Sequence, residues 1–89
     1  MDYRAVLCTR LDGPDALEIT TQSPTPLASN EVRLRVRAAG LNFPDLLMTR
    51  GGYQFRPELP FVPGMESAGD VIELGSAVNS VKIGDRVIA

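Results

Sequence analysis

The stretch from residue 38 to residue 69 limits what this chain can fold into, because it holds most of the chain's glycines and prolines. Proline fixes φ and has no backbone N–H, while glycine adopts conformations that are closed to other residues. Inside this stretch we predict a loop-built region on a β scaffold, where binding residues tend to concentrate.

Alternation of apolar and polar residues outside this stretch predicts a mainly β chain. The predicted strands cover residues 3–11, 16–21, 31–39, 66–74 and 86–89. Residues 78–83 are interpreted as a bent strand or a looped hairpin. Because the sequence stops inside the last strand, we expect it to be a piece of a longer protein.

The third strand has the clearest alternation, with aliphatic residues on one face and arginines on the other. The aliphatic residues, which we expect to be buried, are Val32, Leu34, Val36 and Ala38. The arginines are Arg33, Arg35 and Arg37. We interpret this row as a solvated face that discourages edge pairing rather than as an anion site, since no phosphate-binding motif accompanies it. In the second strand, Leu17 and Ile19 are expected to share a face.

The loop-built region opens with signals for a short helix. Asn42 is a favoured N-cap residue, and Asp45 three residues later completes a capping box. Pro44 is tolerated in the first turn, and Gly51-Gly52 are expected to end the helix. We expect Asp45 to stabilise the helix start, whose positive dipole end favours a carboxylate.

The prolines after this helix predict an extended segment over residues 53–63. Each proline pushes the residue before it toward β or polyproline conformations. We also predict a cis peptide bond between Leu59 and Pro60, in the approach to the turn at Gly64.

The absence of histidine excludes several kinds of site. The chain has no His general base, no Ser-His-Asp triad and no His metal ligand.

The single cysteine, Cys8, cannot form an internal disulfide, which fits a reducing compartment, and we interpret it as a small core residue. The net charge of −2 gives no electrostatic footprint for nucleic acid. No apolar run approaches the ~20 residues of a membrane span, and no signal peptide is found, so we expect a cytoplasmic protein.

A linked set of motifs resembles a known family. The set is Asn42-x-x-Asp45, Gly52-Tyr53, Pro63-Gly64-x-Glu66-x-x-Gly69 and Gly84-Asp85-Arg86-Val87. Together these motifs are similar to the N-terminal part of zinc-independent medium-chain dehydrogenases/reductases, especially the quinone oxidoreductase branch. The resemblance extends essentially over the whole chain.

The resemblance implies a GroES-like, partly open β-barrel with one short helix, incomplete at the C-terminus. Residues 1–89 would be the N-terminal part of that catalytic domain. The Rossmann domain, which binds NADP(H) and carries the contacts of a homodimer, would be absent from this chain. We therefore expect the isolated chain to be inactive.

The implied activity of the parent protein is reduction of a small quinone or enone by hydride transfer, with no role for nucleic acid or membrane. Reduction of enoyl thioesters (enoyl-CoA or enoyl-ACP), known in the same superfamily, is the alternative. An alternative of another class is a stand-alone GroES-like binding or structural module without enzymatic activity.

Zinc is not expected in this site. Zinc-dependent relatives place a cysteine at the position of Asn42 and a histidine at that of Met65. A catalytic zinc takes its protein ligands from Cys, His, Asp or Glu side chains. An amide and a thioether are poor zinc ligands, so the resemblance implies a metal-free reaction.

Five residues form the site that the resemblance implies. Tyr53 is expected to donate a proton or contact substrate, since a phenol is protonated at neutral pH; the alternative is an amphipathic side chain at the pocket rim. Asn42 is expected to place its amide toward the nicotinamide or a substrate carbonyl while also capping the helix. Glu66 is expected either to be buried with partners or to lie near the cofactor. Phe43, Tyr53 and Met65 are the expected walls of the substrate pocket.

Overall fold

The computed structural model describes residues 1–89, and it confirms a mainly β chain with one short helix. The regular elements are β1 (Tyr3–Leu7), β2 (Glu18–Gln22), β3 (Val32–Gly40), α1 (Phe43–Thr49), β4 (Glu66–Leu74) and β5 (Arg86–Ile88). The chain divides into two compact units. The first unit comprises Met1–Pro24 and Leu41–Met65, and the second comprises Thr25–Gly40 and Glu66–Ala89.

The first unit contains the hairpin of β1 and β2, which pair antiparallel. After β1 the chain leaves the hairpin, and Cys8 pairs instead with Phe61 through two backbone hydrogen bonds of 2.8 and 3.1 Å. The Cys8 side chain is fully buried, and its thiol donates to the carbonyl of Arg10 at 3.3 Å. The interpretation of Cys8 as a small core residue is therefore confirmed.

The bounds predicted for the first two strands were wrong. Strand β1 ends at Leu7 rather than at residue 11, because the next residue pairs outside the hairpin. Strand β2 starts late because Pro14–Ala16 form a turn of 3-10 helix that buries Ala16. Leu17 therefore precedes the strand and does not share a strand face with Ile19, which is 72% exposed.

The second unit contains an antiparallel sheet in the order β3-β4-β5. Its most buried side chain is Val71, which is 1% exposed and lies opposite Leu34. The predicted burial of the aliphatic face of β3 was wrong except at Leu34, which is half-buried, since Val32 is 37% exposed, Val36 is 57% exposed and Ala38 is also exposed. The register shifts between Val36 and Ala38, and such a bulge places an extra residue in one strand and interrupts its alternation.

Strand β4 has the predicted bounds, whereas residues 78–83 form no strand. The chain instead returns to the sheet through Gly84 and Asp85, which exchange backbone hydrogen bonds of 2.8 and 2.9 Å with Val71. The predicted cis peptide bond at Leu59–Pro60 is confirmed. None of the helices has the length and apolar character needed to cross a membrane.

Candidate functional site

The start of α1 is held by the predicted capping box of Asn42 and Asp45. The carboxylate oxygen Oδ2 of Asp45 accepts the backbone N–H of Asn42 at 2.8 Å. In return, the side chain of Asn42 accepts the backbone N–H of Asp45, which also lies 3.1 Å from the carbonyl oxygen of Asn42. These bonds satisfy backbone groups that a helix start leaves without intrahelical partners, so they fix the backbone at position 42.

The end of α1 is also as predicted. The carbonyl of Leu47 accepts the N–H of Gly52 at 2.9 Å, and that of Met48 accepts the N–H of Gly51 at 3.1 Å. This pair of bonds is a Schellman motif, with Gly51 in the left-handed conformation at φ 72°. Both ends of this short helix are therefore fixed by local hydrogen bonds.

A cavity of about 410 Å³ lies beside α1 within the first unit. Its lining consists of Pro14, Leu17, Leu41, Asn42, Phe43, Asp45, Leu46, Thr49 and Pro63. Two predicted site residues, Asn42 and Phe43, are among them. Phe43 is 68% exposed and Leu41 is 77% exposed, so apolar surface is available at the mouth of the cavity. The cavity suits a flat apolar ring with a substituent that can hydrogen-bond to an amide.

The sequence predicts little of this lining beyond Asn42 and Phe43. Pro14 and Leu17 come from the turn before β2, and Pro63 comes from the extended segment. Leu41 and Leu46 are close to Asn42 and Phe43 in the sequence, so they could have been predicted as lining residues for that reason alone. The distant residues could not have been found without the tertiary structure.

Asp45 is the one acidic group in the cavity lining, and it is only 3% exposed. Its Oδ2 atom is used by the capping box, whereas its Oδ1 atom is buried without a hydrogen-bond partner. A buried acceptor without a partner costs stability, so the favourable cap is partly offset. The expected structural role of Asp45 is confirmed.

We expect Asp45→Ala to lower the free energy of unfolding by about 1 kcal/mol, because the capping carboxylate is lost. Urea denaturation followed by circular dichroism measures this change. Asp15→Ala is the control, since Asp15 lies in the first turn of the 3-10 helix, which has no side-chain cap. Equal losses in the two variants would contradict a capping role for Asp45.

Two other predicted pocket residues lie in the same unit but outside the lining of this cavity. Tyr53 is half-buried, and its hydroxyl makes no hydrogen bond. Met65 is 53% exposed. Their assignment to a substrate pocket stays a prediction.

Glu66 belongs to the second unit, where it is the first residue of β4. The alternative of a buried carboxylate was wrong, because Glu66 is exposed. Its cross-strand partner is Gly40, and the Glu66 carboxylate lies in the space that a side chain at Gly40 would fill. The absence of a side chain at position 40 therefore leaves room for the side chain of Glu66.

No group of three or more His, Cys, Asp or Glu side chains is placed to hold a metal ion. Residues 28–89 match the alcohol dehydrogenase GroES-like domain, which is more than half of the chain. The chain belongs to this family. The expected GroES-like fold is thereby confirmed.

Similar proteins lie in the quinone oxidoreductase branch, as the motifs predict. The GroES-like chain is 52% identical over 86 residues to "Quinone oxidoreductase-like protein 2" of Mus musculus, covering 97% of this chain and 24% of that protein. The solved structure of Escherichia coli quinone oxidoreductase complexed with NADPH matches with a TM-score of 0.90 and 35% identity, over 97% of this chain and 26% of that one.

A third similar protein is named for synaptic vesicle membranes rather than for quinone reduction. The human synaptic vesicle membrane protein VAT-1 homolog-like protein matches with a TM-score of 0.93 and 38% identity, over 100% of this chain and 29% of that one. The GroES-like chain spans about a quarter of the length of the relatives that it matches.

Proposed function

We propose that this chain is the N-terminal catalytic-domain part of a zinc-free, NADP(H)-dependent oxidoreductase that reduces quinones or enones by hydride transfer. The observation that carries the proposal is an apolar cavity with Asn42 in its lining, on a backbone fixed by the capping box. The similarity to a quinone oxidoreductase complexed with NADPH supports it.

The cavity fits the nicotinamide end of the cofactor. A nicotinamide is a flat ring with a carboxamide, and the lining offers Phe43 and Leu41 for the ring and the Asn42 amide for the carboxamide. The pyrophosphate is bound elsewhere in such enzymes, at the glycine turn of a Rossmann fold, and this chain has no G-x-G-x-x-G sequence. When bound, the nicotinamide supplies the hydride.

The residues of this chain would orient the reactants and exclude water. We assign Asn42 the role of hydrogen-bonding a carbonyl, either of the carboxamide or of the substrate. We assign Tyr53 the role of proton donor to an enone, and Glu66 a contact with the cofactor. A quinone makes less demand on Tyr53, because its reduced oxygens take protons from water.

A metal-free reaction is supported by the donor chemistry of the side chains at the two positions where zinc-dependent relatives have ligands. Asn42 offers an amide and Met65 a thioether, and neither belongs to the usual protein ligands of catalytic zinc. Binding and orientation would then come from the cavity and its polar groups rather than from a Lewis acid.

The rival substrate class within this proposal is an enoyl thioester, which would use the same cavity. We also propose that the parent protein is a cytoplasmic homodimer. The free thiol of Cys8 agrees with a reducing compartment.

We expect the parent protein to oxidise NADPH when a benzoquinone is added, and to do so without added zinc. The absorbance of NADPH at 340 nm measures this rate, and the reaction without quinone is the control. The 89-residue chain alone should show no saturable NADPH binding by calorimetry. Quinone-dependent turnover that needs zinc would contradict the proposal. Turnover only with enoyl thioesters would replace quinones and enones by the rival substrate class.

A further inference from the structure

The sheet of the second unit collects arginines around one carboxylate. Arg35 lies directly opposite Asp70 on β4, and Asp70 lies directly opposite Arg86 on β5. Residues that are directly opposite in neighbouring strands share a face. One of the two register shifts between β3 and β4 falls at Arg37, whose side chain reaches the same carboxylate. Two arginines therefore contact Asp70, and a third lies opposite it in the sheet.

The carboxylate of Asp70 holds two of these arginines by the inner nitrogen of the guanidinium. The distance from Arg37 Nε to Asp70 Oδ2 is 2.9 Å, and that from Arg86 Nε to Asp70 Oδ1 is 3.7 Å. Each of these contacts is made by Nε and not by a terminal nitrogen. The Asp70 side chain is 26% exposed, while those of Arg37 and Arg86 are 65% and 93% exposed. The two guanidinium groups are therefore more accessible to solvent than the carboxylate that they contact.

The cluster has more positive charge than Asp70 can neutralise. Arg35 makes no ion pair, although it lies opposite Asp70. This excess is local, because the whole chain has a net charge of −2. Exposed ion pairs contribute little to stability, and like charges brought together reduce it. The stability gained from ion pairs with Asp70 therefore does not explain why a third arginine lies beside it.

A cavity of about 540 Å³ adjoins the cluster. It is lined by Arg37, Ala68, Gly69, Asp70, Arg86, Val87 and Ile88. Ile88 lies opposite Ala68 on the same face and is 87% exposed. The cavity thus offers guanidinium donors on one side and an apolar surface on the other.

We propose that this cavity binds a small organic phosphate monoester, with the phosphate on Arg37 and Arg86 and the organic group on Ile88. Guanidinium groups match the geometry of phosphate oxygens and bind them in bidentate fashion. A phosphate monoester carries about −1.5 to −2 charges at pH 7, which balances the excess of the cluster. The lining of this cavity shares no residue with that of the proposed redox cavity, and the proposal does not depend on that activity.

Calorimetric titration of the protein with phenyl phosphate, inorganic phosphate and benzyl alcohol tests this site. We expect saturable binding of phenyl phosphate, weaker binding of inorganic phosphate and none of benzyl alcohol. Arg86→Gln should weaken phenyl phosphate binding about tenfold, since a hydrogen bond to a charged group is lost. Ile88→Ser should weaken the binding of phenyl phosphate but not that of inorganic phosphate. Both side chains are highly exposed, so these variants should keep the fold.

Arg10→Gln is the matched control, because Arg10 is an exposed arginine in the first unit that pairs with Asp12 at 2.8 Å. This variant should bind phenyl phosphate as the unchanged protein does. Absence of saturable binding, or equal losses in the Arg10 and Arg86 variants, would overturn the proposal. Binding only to phosphatidate vesicles, and not to the soluble ester, would overturn it in favour of a lipid surface.

Discussion

Tyr53→Phe in the parent protein is expected to lower kcat for an enone about a hundredfold, while kcat for a quinone falls by no more than about threefold. Hydride addition to an enone gives an enolate, and the phenol would protonate the α-carbon of that enolate. Phenylalanine cannot donate a proton. A reduced quinone carries its charge on oxygen, which takes a proton from water. Turnover of both substrates by one preparation of the variant measures the difference.

Tyr3→Phe is the control for this experiment. Tyr3 is exposed on β1, and its hydroxyl donates to the side chain of Gln22 at 3.2 Å. Its replacement removes a phenol of the same chemistry without touching the cavity, so both rates should be unchanged. Equal losses for enone and quinone in the Tyr53 variant would mean that Tyr53 positions the reactants and does not supply the proton.

Gly69→Ala is expected to lower the free energy of unfolding by about 3 kcal/mol. Gly69 lies in the middle of the three-stranded sheet, between Val36 on one side and Val87 on the other. A Cβ atom there would press against the backbone carbonyl of Arg35, which the sheet holds in place. For a domain of this size the midpoint of thermal unfolding should fall by roughly 12 to 24 °C, which differential scanning calorimetry measures.

Gly52→Ala provides the comparison. A Cβ atom at Gly52 would come no closer than 3.8 Å to the carbonyl of Leu47, which is an ordinary contact. Its midpoint should therefore move by much less than that of the Gly69 variant. Similar shifts in the two variants would show that the sheet yields to the added methyl group.

The helix and its ends could be predicted from the sequence because their determinants are local. Asn42 and Asp45 are three residues apart and make the capping bonds with each other. The glycines at positions 51 and 52 close the helix in the same way. Strand β4 was also predicted with its observed bounds, Glu66–Leu74.

The errors arose where a distant partner decides the local structure. Cys8 leaves β1 to pair with Phe61, a residue that no local pattern connects to it. The bulge at Arg37 depends on how β3 and β4 pair, and it alters which side chains share a face. The lining of the cavity could not be predicted for the same reason. Pro14 and Pro63 are distant from α1 in the sequence, and only the fold brings them beside it.

The capping box has a consequence for how position 42 can change. The backbone there is extended, at φ −129° and ψ 169°, a conformation that any residue adopts. Its N–H is held by Asp45, and its side chain accepts the backbone N–H of Asp45 in return. Only a short side chain with an acceptor atom, such as that of serine, threonine or aspartate, can replace Asn42 without loss of that second bond. Changes at position 42 are therefore constrained by the helix start as well as by the cavity.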